Sequence, residues 1–391
     1  MSAPEFTSRR NRIVGLFPEL LGVGGVQEAG RLTAAALTEI ASRHGWSADF
    51  LSINDPSGPH SLAVAGSAIS FRGFGRAKVS FVLSAIGRAR TTAKGGTPII
   101  LAAHPNFAVP ADWMRRACPR AKTIVMAHGV DVWKPLRFFR RRALLRANLV
   151  LAPSRDTVRK LVEVQGVAPE KAHRLAWPLS AGFLRMADAS AGLPVPPAFP
   201  QTGPVILTVG RWASAERYKG ADELIRAIPR LQAATPGLHL VAVGAGDDLP
   251  RLRELVTGLG IASHVHFLEN LSREQVAACY ARADLFALPS TGEGFGLVYL
   301  EAMAFSKALV GVACGGTTDV VEDGVNGLLV PPHDAGALVH ALGRLLRDEP
   351  LRTQLGRSGA EIVRRKYEFG VFRAELERIL SDSCLREQAM A

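Results

Sequence analysis

Short, unbroken runs of Val, Ile, Leu and Ala recur along this 391-residue chain, at 12–17, 98–102, 121–126, 149–152, 204–209, 238–243, 265–268, 284–288, 308–312 and 327–330. A strand with one wet face alternates apolar with polar residues. An unbroken run means that both faces are covered, as in parallel strands flanked by helices. Helical patterns fill the intervals, so the expected class is α/β, with doubly wound, Rossmann-like parallel sheets. The chain is too long for one ordinary core, and with 48% hydrophobic and 21% charged residues it can build two. The stretch 186–203 holds Pro194, Pro196, Pro197 and Pro200 without helical periodicity. It is the expected linker between a domain at 1–185 and another at 204–365, with a last helical segment, 366–391, packing back toward the first domain. Two such domains place a cleft at the carboxyl ends of their strands, so site residues are expected in strand-to-helix loops.

Charge divides the same way. Residues 1–200 carry 27 Lys and Arg against 12 Asp and Glu, a balance of +15, whereas residues 201–391 carry 20 against 23, or −3. The first half is therefore expected to meet an anionic partner, unless the charge serves solubility alone. Its basic residues gather in two clusters. Residues 72–94 mix Arg72, Arg76, Lys78, Arg88, Arg90 and Lys94 with Phe71, Phe74, Phe81, Val82 and Leu83. Residues 134–146 mix Lys134, Arg137, Arg140, Arg141, Arg142 and Arg146 with Leu136, Phe138, Phe139, Leu144 and Leu145. Each suits either a peripheral contact with an anionic membrane or a core-facing apolar stripe with a solvated basic back.

The basic start (Arg9, Arg10, Arg12) precedes only a short apolar run broken by Pro18, which reads as a strand and not a leader, and no run approaches the roughly 18 apolar residues of a membrane span. Cys118, Cys279, Cys314 and Cys384 form no CxxC pair, so neither a zinc site nor a disulfide framework is expected. The expected location is the cytoplasm, peripheral to the inner face of the membrane if the basic clusters dock there.

The run 284–288 leads into Pro289-Ser290-Thr291-Gly292-Glu293-Gly294-Phe295-Gly296 and then a helix from about Leu297. A glycine-bearing loop feeding a helix N-terminus offers backbone N–H groups and a dipole to a phosphate. Glu293 and Glu301, spaced E-x7-E, flank it. Carboxylates repel phosphate but accept hydrogen bonds from hydroxyls, so Glu293 suits a transferred sugar and Glu301 a ribose. From spacing alone, a capping glutamate and a solvated helix glutamate are equally good descriptions.

Upstream, the run 205–209 ends in Gly210-Arg211, and Lys219-Gly220 opens the helix 221–231. Downstream come Gly315-Gly316-Thr317-Thr318-Asp319 and Glu322-Asp323-Gly324-Val325-Asn326-Gly327-Leu328-Leu329-Val330. In this order the segments resemble family 4 of the retaining glycosyltransferases, of GT-B fold. The "GR…KG" pair, the E-x7-E loop and the "GG.pE" and "G.nGllv" runs all match, although Thr318-Asp319 stands where Pro and Glu are common. The resemblance implies that Arg211 and Lys219 neutralise the donor diphosphate, whose charge grows as the glycosidic bond breaks. It also implies that Gly294, Phe295, Gly296 and Leu297 line the donor site, and that residues 264–268, ending in Leu268, frame the nucleobase.

In the first half, 21–27 (Leu-Gly-Val-Gly-Gly-Val-Gln) precedes a helical pattern over 29–41. The family places a glycine-rich loop here, which makes Gly24 and Gly25 donor-facing. Taken alone it is an imperfect GxGxxG: Gln27 occupies the last glycine position, and no acidic residue ends an obvious second strand about 20 residues on. His128, after the run 121–126, matches the histidine that the family sets near the reacting sugar, to bond its C6 hydroxyl or orient the acceptor. His104 is a second candidate.

The expected activity is thus transfer of a hexose from GDP-mannose or a UDP-hexose to a glycan or lipid-linked acceptor, with retention. No Asp-x-Asp pair occurs, so no metal or other cofactor is expected. The alternatives are a nucleotide-sugar epimerase of similar build, which needs no acceptor surface, and a nucleic-acid-binding protein. The latter lacks any recognisable motif, and no nucleic-acid partner is expected.

Overall fold

Most of the apolar runs become central strands because their alternate residues enter two different cores. The structure, a computed structural model, describes residues 11–92 and 97–382; Arg9, Arg10, Lys94 and Cys384 lie outside it. Two compact units emerge: residues 1–178 with 369–391, and residues 179–368.

The first unit holds β1 (Arg12–Phe17), β2 (Ser47–Ser52), β3 (Gly58–Val64), β4 (Ser67–Gly73), β5 (Pro98–Ala102), β6 (Lys122–Met126), β7 (Leu149–Ala152) and β8 (Ala172–Arg174). They form one sheet in the order β3-β4-β2-β1-β5-β6-β7-β8, in which only the β3–β4 pairing is antiparallel. Val14 and Leu16 enter a core with Phe81, Ala85 and Met114. Their neighbours Ile13 and Phe17 enter another with Leu37, Ile40, Phe372 and Leu376 on the opposite face. The last helix, Phe369–Leu380, packs in this second core against the Gly25–Arg43 helix.

The second unit holds β9 (Val205–Val209), β10 (His239–Val243), β11 (Val265–Leu268), β12 (Leu285–Leu288), β13 (Ala308–Val312) and β14 (Gly327–Val330), all parallel, in the order β11-β10-β9-β12-β13-β14. That is the doubly wound order with its reversal between β9 and β12, and in such sheets ligands bind outside the carboxyl ends of the strands at the reversal. The corresponding reversal in the first unit lies between β1 and β5.

Several expectations need correcting. The first piece of the first unit ends at Pro178, and the proline-rich stretch 186–203 lies inside the second unit, where Phe183 stacks edge-on against Tyr280 and Phe305 and Phe199 is buried. The strands β2, β3, β4 and β8 were not expected. β4 alternates exposed Ser70 and Arg72 with buried Ile69 and Phe71, a one-sided pattern, and it pairs with β3 as a hairpin. Phe71, Phe74 and Phe81 of the 72–94 cluster are core residues, whereas its Leu83 stands 65% exposed. In the 134–146 cluster Leu144 is buried, while Phe138 and Phe139 at the start of the Phe138–Leu145 helix stand 66% and 77% exposed. Cys118 and Cys279 are buried, and Cys314, half-buried, sets its Sγ 3.8 Å from the Ser290 carbonyl. Among the described residues no helix is long and apolar enough to cross a membrane.

Candidate donor site and histidine pair

In the second unit the loops after β9 and β12 flank the reversal. Gly210 follows β9 under the Trp212 ring, which packs into the core beside it. The chain then runs through a short 3-10 segment, Ser214–Lys219, into the Ala221–Gln232 helix. Gly220, with φ +78°, makes that turn against the Pro289 carbonyl, where a Cβ would stand 2.4 Å from the oxygen. Only glycine allows this approach. The segment is pinned to its neighbours. Ser214 donates from its N–H and hydroxyl to Asp247 (2.8 and 2.6 Å), Arg217 pairs with Asp248 (2.9 Å), and the Thr291 N–H donates to the Tyr218 carbonyl (2.8 Å).

These anchors bring Lys219 beside the second loop. Its Nζ lies 3.9 Å from Glu293 Oε1 and 3.6 Å from Glu216 Oε2, while the other Glu216 oxygen pairs with Arg211. The Tyr218 ring packs over Gly292, and burial together with the Glu293 charge pushes its phenol pKa up. The Gly316 N–H donates to the Glu293 carbonyl (2.7 Å), so the Gly315-Gly316 turn after β13 fixes the loop that carries Glu293. Gly296, at φ +89°, starts the Leu297–Ala304 helix, whose first turn no side chain caps. Leu268 and Phe295 have buried side chains, so only their backbone can face a ligand; the Leu268 carbonyl accepts the Gly244 N–H and the Phe295 ring meets Tyr367 edge-on.

Glu301 lies on the Leu297–Ala304 helix and accepts the Tyr280 hydroxyl at 2.8 Å. Tyr280 is fully buried, and its hydroxyl is held un-ionised by burial and by the Glu301 charge. Sequence reasoning missed Glu216, Tyr218 and Tyr280. A carboxylate set between Arg211 and Lys219 in the chain was the one available signal, for Glu216.

In the first unit the loop after β1 is built with equal care. Asp55, buried, accepts the N–H groups of Leu20 (2.7 Å) and Leu21 (3.1 Å) and the Ser52 hydroxyl (2.5 Å). Arg31 donates to the carbonyls of Leu20 (3.1 Å) and Gly22 (2.6 Å). Gly24, at φ +143°, caps the helix that Gly25 begins. A second strand, β2, does exist, but its acidic residue Asp49 lies near the strand's start and pairs with Arg12 and, at 3.8 Å, Arg88. No carboxylate is thereby presented to a dinucleotide ribose.

Beside that loop, across the β1/β5 reversal, stand His104 and His128, stacked with centroids 5.5 Å apart. His128 Nε2 lies 2.7 Å from the Ala103 carbonyl, which fixes the proton on Nε2 and leaves Nδ1, buried and without a partner, as an acceptor. Burial lowers the His128 pKa to about 4. His104 is also lowered to about 4, by burial and by His128; its Nδ1 accepts the Asn106 N–H (3.1 Å) and its Nε2 lies 3.9 Å from Asp131. Asp131 in turn accepts the N–H groups of His128 and Gly129, and so shapes the turn that carries His128. Among the described residues no three His, Cys, Asp or Glu side chains gather as metal ligands. Two shallow surface grooves, one along Glu349 to Glu361 and one beside Asp49, His60 and Arg88, share no residue with these loops.

Two doubly wound units, the second with Lys219 beside Glu293 in a glycine-bearing loop at its sheet reversal, are the build of a GT-B protein. Residues 193–362 match the family described as Glycosyl transferases group 1, and residues 31–176 match Glycosyltransferase Family 4. The chain belongs to the family 4 glycosyltransferases of the group 1 type.

Among its relatives is the GDP-mannose-dependent alpha-(1-6)-phosphatidylinositol monomannoside mannosyltransferase of Mycolicibacterium smegmatis, 34% identical over 185 residues, 46% of this chain and 48% of that one. The D-inositol 3-phosphate glycosyltransferase of Acidothermus cellulolyticus is 31% identical over 275 residues, 65% of this chain and 58% of that one. The chain thus spans about half the length of these curated relatives. In fold it is similar to sucrose-phosphate synthase of Thermosynechococcus elongatus, with TM-score 0.74 and 21% identity over 94% of this chain and 98% of that one. It is likewise similar to Anabaena HepE in complex with UDP, with TM-score 0.68 and 18% identity over 95% of this chain and all of that one.

Proposed function

We propose that this protein transfers a hexose from GDP-mannose or a UDP-hexose to a glycan or lipid-linked acceptor, with retention at the anomeric carbon and without a metal. The observation that carries it is the placement of Lys219 Nζ 3.9 Å from Glu293 Oε1 above the Gly292–Gly296 loop: a cation for phosphate and an acceptor for sugar hydroxyls, side by side at the sheet reversal. Arg211, Lys219 and the N–H groups of Phe295, Gly296 and Leu297 hold the diphosphate and stabilise its growing charge, the work a divalent cation does elsewhere. Glu293 accepts hydroxyls of the transferred sugar, and Glu301, oriented by Tyr280, those of the ribose. His128 accepts a hydroxyl of the sugar or the acceptor at Nδ1, and Gly24 and Gly25 bring backbone close to the substrates.

The acceptor oxygen attacks the anomeric carbon on the face from which the diphosphate leaves. The bond from that carbon to the phosphate oxygen breaks, the new glycosidic bond forms, and the acceptor proton passes to the departing phosphate. Relatives named for GDP-mannose and neighbours bound to UDP support both donor classes. A thermal-shift screen against UDP, GDP and ADP and their sugars tests the reading, since a ligand of the folded state raises the melting midpoint. A rise with GDP or UDP supports it, and no rise with any nucleotide overturns it.

The protein also works in the cytoplasm, at an anionic leaflet, through the Phe138–Leu145 helix. The exposed Phe138 and Phe139 rings lie there among Arg137, Arg140 and Arg142, in the half of the chain with a +15 balance. Co-sedimentation with phosphatidylglycerol vesicles should be lost in Phe138→Ser/Phe139→Ser; equal binding by both proteins would rule this contact out.

A further inference from the structure

Both cations assigned to the donor diphosphate are already engaged by one side chain. Glu216 pairs through Oε1 with Arg211 and through Oε2, at 3.6 Å, with Lys219. Each carboxylate oxygen thus takes a different cation, as the oxygens of a bridging phosphate group would. The contact is built into the backbone. Glu216 is the one residue of the Ser214–Lys219 segment with non-helical angles, φ −121° and ψ 28°, and this break turns its side chain back toward Arg211 and Lys219. On either side Ser214 is tied to Asp247 and Arg217 to Asp248, so the turn is held from both ends. The Glu216 side chain is only 14% exposed and that of Lys219 18%, so water screens their pairing weakly; Arg211, 71% exposed, is the half of the contact that opens with least loss.

We propose that Glu216 is an internal stand-in for the donor diphosphate, a counter-ion that competes with it for Arg211 and Lys219. This rests on Arg211 and Lys219 being the diphosphate cations. A diphosphate entering the site displaces the carboxylate from at least one of them and then lies against its charge, so nucleoside diphosphates bind less tightly than the two cations alone would allow. When the sugar has been transferred, return of Glu216 to the cations helps the product leave. Glu216 is a positioning residue: it also holds two long side chains on one carboxylate.

The sign of one substitution separates competition from simple scaffolding. Titration calorimetry of UDP, GDP and ADP into the wild-type chain identifies the nucleotide that binds, and the same titration follows into Glu216→Gln and Glu216→Asp. Competition predicts that Glu216→Gln binds that diphosphate about three- to tenfold more tightly. The corresponding monophosphate should gain less, and the nucleoside nothing. In steady state the variant lowers the donor KM and strengthens product inhibition by the free diphosphate, without raising kcat. Glu216→Asp, which keeps the charge but shortens its reach, falls between the two and decides the matter if the Gln variant does not fold. Unchanged or weaker diphosphate binding in a folded variant overturns the proposal while leaving the donor site intact. A wild-type chain that binds none of the three diphosphates overturns both.

Discussion

Lys219 sits between two carboxylates, and its substitution separates charge neutralisation from folding. On the proposed roles, Lys219→Ala removes a fixed cation from a developing phosphate charge, and Glu293→Ala removes the hydroxyl acceptor beside it. Each should lower kcat by roughly 10²–10³-fold. Neither side chain belongs to a hydrophobic core, so both variants should fold, with Lys219→Ala the less stable because it leaves Glu216 and Glu293 without their shared cation. Near-normal turnover in either variant would move the site elsewhere. At this scale the sequence was legible where chemistry follows chain order: Lys219, in the segment after β9, and Glu293, in the loop after β12, stand 3.9 Å apart. It was not legible where a partner comes from far along the chain. Nothing near Glu301 announces Tyr280, and the buried, unpaired Nδ1 of His128 depends on a carbonyl 25 residues upstream, that of Ala103.

The Leu297–Ala304 helix owes its start to one backbone angle. Gly296 has φ +89°, and a Cβ there would stand 2.6 Å from the Tyr299 ring, which cannot swing away because its hydroxyl is held by the Leu288 carbonyl at 2.6 Å. Gly296→Ala should therefore cost about 1–3 kcal/mol of stability. It should also weaken nucleotide binding by more than the melting shift implies, because the helix N-terminus itself is displaced; calorimetry beside thermal unfolding checks both. Strands read well where two-sided burial left a continuous apolar run, as in β9, β12 and β13. They were missed where the strand lies toward an edge. β3 and β4 alternate and form a hairpin, β2 opens with Ser47-Ala48-Asp49, and β8 is three residues long with only Ala172 buried. Burial on one face writes a weaker signal than burial on two.

Across the whole molecule, imidazoles kept neutral by burial add to the acid response between pH 6.5 and 4. His128 is lowered from 6.5 to about 4, so between those values the unfolded chain takes up a proton that the native chain refuses. The stability it contributes is fully present above pH 6.5 and is lost as pH falls toward 4, in all about 3 kcal/mol. Burial also lowers His239 and His266 in the second unit, which adds to the slope there. The difference between wild type and His128→Asn in urea unfolding, followed from pH 7 to pH 4, isolates the first contribution: it should shrink with acid, and a constant difference would contradict a buried neutral ring. The basic balance of the first half was readable as composition. Which aromatics beside it face solvent was not, because Phe81 and Phe139 look alike until the helices are docked.

The return of the Phe369–Leu380 helix to the first unit has a consequence for synthesis. The second unit, residues 179–368, is an insertion between two pieces of the first, and it leaves the ribosome complete while its host is still missing a wall. Until the last turn emerges, the face of the Gly25–Arg43 helix that carries Leu37 and Ile40 has no Phe372, Leu376 or Ile379 to cover it, three side chains whose burial contributes about 1.5–3 kcal/mol each. The half made first is therefore the half finished last, and a chain stopped at residue 368 would carry a well-formed second unit on a sticky, incomplete first one.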